Sequence, residues 1–193
     1  MSEWASSVSA VAHTAWIDES VRVEHGLYVL AAVIVDDAQM SACRRTLRNL
    51  VHQGQGRLHW HSDAEPLRNQ SLGVLAADAV QIRPYLSFFD RPKRQEEARV
   101  RCLAHLVADI VSPGLTEIVL DRRRPNQDVQ DLHLIAQELA RTGSSLAPRV
   151  RHESSVIEPL LWLADVAAGA AGAHLVRRDA SYITAIAGSL VIS

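Results

Sequence analysis

Apolar residues fall in two kinds of run along this chain. Short β-branched stretches at 10–18, 27–35, 80–89, 115–121 and 149–153 have the length and composition of strands. The first two flank a polar turn at Glu24-His25-Gly26, which predicts an antiparallel hairpin. Between the other stretches the spacing changes to that of helices. Asp36 or Asp37 is placed to cap a helix carrying Met40, Cys43, Leu47, Leu50 and Val51 on one face, with Gly54 past its end. Pro66 opens a second helix to about Asp78. The stretch 93–111 places Leu103, Leu106, Val107 and Ile110 on one side, and Pro113-Gly114 breaks it. The stretch 126–142 turns Leu132, Ile135, Ala136 and Leu139 inward, with Gly143 beyond. From 157 to about 177 the chain is apolar nearly all round, as in a helix buried on every side. The tail from Ala180 is apolar without a clear period.

A hairpin, a helical excursion, a third strand and then helix-strand units predict an α/β fold. The expected form is a five-stranded mixed sheet with helices on both faces. Strands crossed by helices should run parallel, with strand one between strands two and four. One domain over residues 1–193 accommodates this, with a helical insertion at about 37–79.

Composition narrows the setting. Hydrophobic residues make up 48% and charged residues 22%, ordinary for a globular chain, and the net charge of −2 gives no global attraction to nucleic acid or membranes. Binding of that kind would rest on local patches. Nineteen of the twenty basic residues are arginine. Cys43 and Cys102 form neither a CxxC motif nor a disulfide framework, which fits thiols in a reducing cytoplasm. The start, Met1-Ser2-Glu3-Trp4, lacks the basic and apolar regions of a signal peptide. Asp165, His174 and many small residues argue against a membrane span at 159–176. The expectation is a cytoplasmic protein with no membrane partner.

Three acids stand out by position. Asp18 closes Ala15-Trp16-Ile17, Asp121 closes Ile118-Val119-Leu120, and Asp165 is the single charged side chain between Pro159 and Val176. A carboxylate at the end of a buried run loses water, and that is costly unless a cation meets it. Neighbouring parallel strands would set Asp18 and Asp121 roughly 5 Å apart at one edge. With Asp165 above them, the three could share a divalent cation. Taken singly, each would be read as a turn cap or an arginine partner.

The segment Trp16-Ile17-Asp18-Glu19-Ser20, followed by the apolar run 28–35, resembles the opening of the domain of unknown function 3800 family. The stretch from His152-Glu153-Ser154-Ser155 to Ala164-Asp165 on a small-residue helix resembles that family's end, and Asp121 matches its middle acid. Val21 stands where the family often has glycine. The resemblance implies a ribonuclease H-like fold and a metal-dependent nuclease. It makes Asp18, Asp121 and Asp165 the metal-binding acids, and Glu19, Glu96 or Glu97 the fourth acid. Of these, Glu19 fits by motif and joins the catalytic set.

Phosphodiester hydrolysis by two magnesium or manganese ions suits such oxygen ligands. Basic residues nearby would hold the backbone of DNA or RNA. Arg122 and Arg123 directly follow Asp121, and Lys93, the only lysine, follows the third strand. His59, His61 and Asp63 form a His-x-His-x-Asp string that would suit zinc on a strand, but Ala64 stands where a zinc motif of that kind continues with histidine. His59 is therefore assigned to face the substrate. Ser20, Ser154 and Ser155 have no Gly-x-Ser-x-Gly elbow around them and are read as strand-end turn residues. The competing reading is a non-catalytic ribonuclease H-like module that binds nucleic acid or protein. A homodimer is compatible with either.

Overall fold

The computed structural model describes residues 11–51, 56–77, 80–143, 145–178 and 180–185. Gly54, Asp78, the first four residues and the tail after 185 lie outside this set. Five strands form one sheet in the order β3-β2-β1-β4-β5. They are β1 (His13–Arg22), β2 (Leu27–Asp36), β3 (Val80–Phe88), β4 (Leu115–Asp121) and β5 (Arg149–Glu153). β1 pairs antiparallel with β2, which pairs antiparallel with β3; β4 runs parallel to both β1 and β5. This is the expected arrangement, with β1 at the centre.

Central strands are covered on both faces, and their sequences show it. β2 is buried from Leu27 through Val35, and β1 from Thr14 through Ile17, so both read as continuous apolar runs rather than alternating ones. Trp16, Val29, Ala31, Val33 and Val119 face one helical layer; Ala15, Ile17, Leu30, Ala32, Ile118 and Leu120 face the other. The second layer is α3 (Gln95–Ile110) with α4 (Pro125–Arg141). The first is α5 (Leu160–Arg177), overlaid by α1 (Met40–Leu50), α2 (Glu65–Leu75) and α6 (Ser181–Ala185).

α5 is buried without a break from Leu160 to Ala173, because the sheet lies beneath it and three helices touch its other sides. The excursion between β2 and β3 thus forms the cover of α5. Arg44 of α1 fastens it: the guanidinium donates to both Glu158 oxygens, Nε to Oε1 at 2.9 Å and Nη2 to Oε2 at 3.0 Å. It also stacks 5.4 Å from the Trp16 ring centre. Gly169 is where α5 admits a large neighbour. A Cβ there would collide with the Trp60 ring.

Three local expectations give way to tertiary contacts. α1 has Gln39 as its N-cap, with no side-chain cap. Asp37 instead accepts hydrogen bonds from Thr14 and Thr116 at 2.8 and 3.2 Å, tying the end of β2 to β1 and β4. On α4, Leu132 and Ala136 are exposed while Asp131 is buried. The ion pair of Asp131 with buried Arg99 turns that helix. The His59–Asp63 segment is a turn, closed by Ser62 N–H and Asp63 N–H donating to the His59 carbonyl at 3.0 and 2.9 Å, so its histidines do not share a strand face. No helix among the described residues is long and apolar enough to cross a membrane.

Candidate active site

The parallel pairing of β1 with β4 runs to Ile17 opposite Leu120. The next residues are Asp18 and Asp121. Strand alternation puts both on the face of Trp16 and Val119, the face covered by α5. α5 contributes Asp165. All three line one cavity of about 150 Å³, with Glu19, Arg57, Leu58, His59, Ser155 and Trp162 completing the wall.

Each acid is held differently. Asp165 is buried, and its Oδ2 accepts from the Trp60 backbone N–H at 2.7 Å and lies 3.2 Å from His59 Nδ1. Hydrogen bonding to Asp165 raises the His59 pKa, although burial opposes it. Asp121 Oδ1 accepts from the backbone N–H groups of Arg122 and Ser155 at 3.0 and 2.9 Å, and Oδ2 accepts from Ser155 Oγ at 3.0 Å. Asp18 Oδ1 takes one bond, from Glu19 N–H at 2.7 Å. Burial pushes the Asp18 pKa well above the usual carboxylate range, and the charges of Glu19, Asp165 and Asp121 push it further. Among the described residues none of the three forms an ion pair with an arginine; His59 is the ion-pair partner of Asp165.

Glu19, one residue on from Asp18, belongs to the opposite face. Its Oε2 accepts from Arg99 Nη1 at 2.7 Å, and its Oε1 lies 3.6 Å from Arg123 Nε. Arg99 is 2% exposed and grips Asp131 with two bonds, at 3.0 and 2.6 Å. It also donates to Tyr28 Oη at 3.0 Å. Burial would lower the Arg99 pKa, but Glu19, Tyr28 and Asp131 hold it well above its ordinary value. Burial would raise that of Asp131; hydrogen bonds with His152 and Arg99 outweigh this and hold it at about 2. The Glu19 carboxylate therefore edges the cavity while leaning on a buried arginine network.

The remaining candidates divide clearly. His59 lines the cavity. Arg123 is drawn into the network by Glu19, Asp131 and Glu96. Arg122 is exposed, with its backbone N–H bound to Asp121 and to the Glu153 carbonyl. Lys93 is exposed in a 3-10 turn, Pro92–Arg94, outside the cavity lining. Glu96 binds Arg123 and Gln127, and Glu97 lies 3.9 Å from Arg94, so neither reaches the cavity wall. His61 turns to Arg22, with Nη1 3.2 Å from Nδ1.

Sequence reading missed Arg57 and Trp162, and it gave Ser155 no role beyond a turn. Arg57 Nη1 donates to Ser155 Oγ, which donates onward to Asp121, and Trp162 Nε1 donates to the Ser155 carbonyl at 2.6 Å. Trp162 could have been found, being one helical turn before Asp165. Arg57 could not, because only the packing of the α1–α2 excursion brings it there.

The donor set is chemically suited to a hard cation: three carboxylates on one wall, one of them with its charge disfavoured by the others. Among the described residues, no group of three or more His, Cys, Asp or Glu side chains stands where it could hold a metal ion. No protein-family model matches the chain, and no curated protein matches it.

Proposed function

We propose that the cavity is the active site of a metal-dependent nuclease or phosphodiesterase of ribonuclease H-like type. The observation that carries the reading is the meeting of Asp18, Asp121 and Asp165, from three separate elements, in one cavity and, among the described residues, without an arginine ion pair. Strand order β3-β2-β1-β4-β5, with an antiparallel first half and parallel β4 and β5, supports a ribonuclease H-like assignment. Magnesium or manganese bound there would activate water and offset charge on the leaving oxygen. Asp18, Asp121 and Asp165 are the residues that would hold it, once drawn together from the positions they take in the structure. Ser155 orients Asp121, and the Trp60 N–H and His59 orient Asp165. His59, held to Asp165 through Nδ1, would offer its other ring nitrogen for a hydrogen bond to a phosphate or a leaving oxygen. Arg57 adds a cation to the same wall.

That the described residues hold no ready group of three metal ligands favours a second reading, a non-catalytic nucleic-acid or protein module on the same frame. One comparison separates them. Manganese binding, followed by electron paramagnetic resonance, is expected for the wild type and lost in Asp18→Asn, together with cleavage of labelled DNA and RNA. Absence of both binding and cleavage in the wild type would leave the module reading in place.

A further inference from the structure

β1 continues four residues beyond Asp18 to Arg22, on the same face of the sheet. At about 3.3 Å per residue, that is about 13 Å along the strand. α5 passes over Arg22 at Gly172, where a Cβ would lie 3.3 Å from Arg22 Nε. The guanidinium meets His61 rather than an acid, and its Nε is buried with no hydrogen-bond partner. Arg68 joins from α2: its Nε donates to the Trp60 carbonyl at 2.8 Å, its Nη2 to the His61 carbonyl at 3.4 Å, and its plane lies over the Trp60 ring. Arg177, at the end of α5, is exposed. Burial lowers the Arg22 pKa, and the charges of Arg177 and Arg68 lower it further, against the opposing charges of Glu24 and Asp165. Among the described residues Arg22, Arg68 and Arg177 enter no ion pair. Three guanidinia gathered without an ion pair repel one another more than Glu24 and Asp165 offset at Arg22, and an anion would relieve that repulsion.

The next positions across the sheet add an aromatic. Arg22 pairs with Leu27, and Leu27 pairs with Phe88. Phe88 is 68% exposed on edge strand β3, and Leu86 beside it is 46% exposed. A basic cluster next to an exposed ring is the pairing that single-stranded nucleic acid uses, phosphates on cations and bases on aromatic faces.

We propose that Arg22, His61, Arg68 and Arg177 form a phosphate site for a single-stranded nucleic acid, with a base stacked on Phe88. The site rests on the nuclease reading only in supplying that active site with its strand. It sets the path of the strand over the 57–63 turn, from His59 at the acidic cavity, 6.0 Å ring to ring from His61, to the basic cluster and the edge of β3. The His61 ring receives a bond from Arg22 at Nδ1, which leaves its Nε2–H to donate to phosphate.

The test is anisotropy titration of the full chain with a labelled single-stranded oligonucleotide in EDTA, where cleavage plays no part. Arg177→Gln and Arg22→Gln should each weaken binding roughly tenfold, and each should flatten the log–log salt dependence by about 0.7 for every phosphate no longer neutralised. Phe88→Ala should weaken binding roughly tenfold with the salt slope unchanged. Arg141→Gln, an exposed arginine on α4 paired with Glu138, serves as the control and should leave binding as it is. Arg177 is exposed, so its variant reads the site even if Arg22→Gln disturbs the strand. Unchanged affinity in Arg177→Gln and Phe88→Ala, or no binding by the wild type, would overturn the site. If binding behaves as expected while wild type with manganese cleaves nothing, the phosphate site stands and the nuclease reading falls.

Discussion

Asp18 and Arg99 are buried charges of opposite kinds, and their substitutions should act oppositely. Asp18 has burial and three like charges against it and a single backbone hydrogen bond in its favour. Asp18→Asn keeps the volume and removes the repulsion, so the metal-free protein should melt at the same temperature or slightly higher while metal-dependent cleavage is lost. Scanning calorimetry in EDTA checks the first half. A marked drop in melting temperature would show that the carboxylate supports the fold. Arg99 is the reverse. It satisfies Glu19, Asp131 and Tyr28 at once, and Arg99→Met would leave the two acids only their longer contacts with Arg123 and, for Asp131, His152. Breaking a buried pair from one side costs about 3–5 kcal/mol, and urea denaturation should show a loss of that order.

Helix α5 works as an element because of where its small residues fall. Gly169 admits the Trp60 ring, and Trp60 brings the 57–63 turn close enough for its backbone N–H to reach Asp165. Gly169→Ala would drive a methyl into the ring, so the turn must lift away. Overpacking of this kind costs about 1–3 kcal/mol, and here it should also release Asp165 and lower metal affinity. Gly73 on α2 is the contrast: a Cβ there meets nothing within 4 Å. Gly73→Ala should stabilise by about 0.5–1 kcal/mol through helix propensity alone. Chemical denaturation of the two variants, beside manganese titration, tests both; equal effects at the two positions would remove the special role of Gly169.

At the scale of the whole molecule the polar network on the α3–α4 side contributes to acid stability. Asp131 has a folded pKa of about 2 against an ordinary 3.8. A depressed carboxylate contributes its stability in full above the unfolded value and loses it as pH falls through the folded one. The contribution, about 2 kcal/mol, should therefore disappear between roughly pH 4 and pH 2. Asp131→Asn should flatten that limb of the stability curve, read by urea midpoints at several pH values. An unchanged limb would place the acid sensitivity elsewhere. Exchange of backbone amides should follow the layers: slowest in β1 and β2, covered on both faces, and fastest in β5, a five-residue edge strand with no fully buried position.

The run pattern by itself determined the five strands, the mixed sheet and the burial of α5, because continuous burial on two faces demands unbroken apolar runs. It also picked out Asp18, Asp121 and Asp165, since a turn cap or an arginine partner accounts for one charge at the end of such a run but not for three in the same pattern. What it could not determine was anything set by contacts between distant segments. Asp37 left its expected cap for Thr14 and Thr116, and α4 rotated to meet Arg99. Arg99 itself lay in the apolar stripe of α3 with Ala98, Cys102 and Leu106, a signal that local reading passes over when every neighbour is hydrophobic. Arg57, His59 and the Arg22 cluster acquire their positions only when α1 and α2 close over α5. Periodicity reports which face of an element is buried; the tertiary structure alone decides which charges that burial brings together.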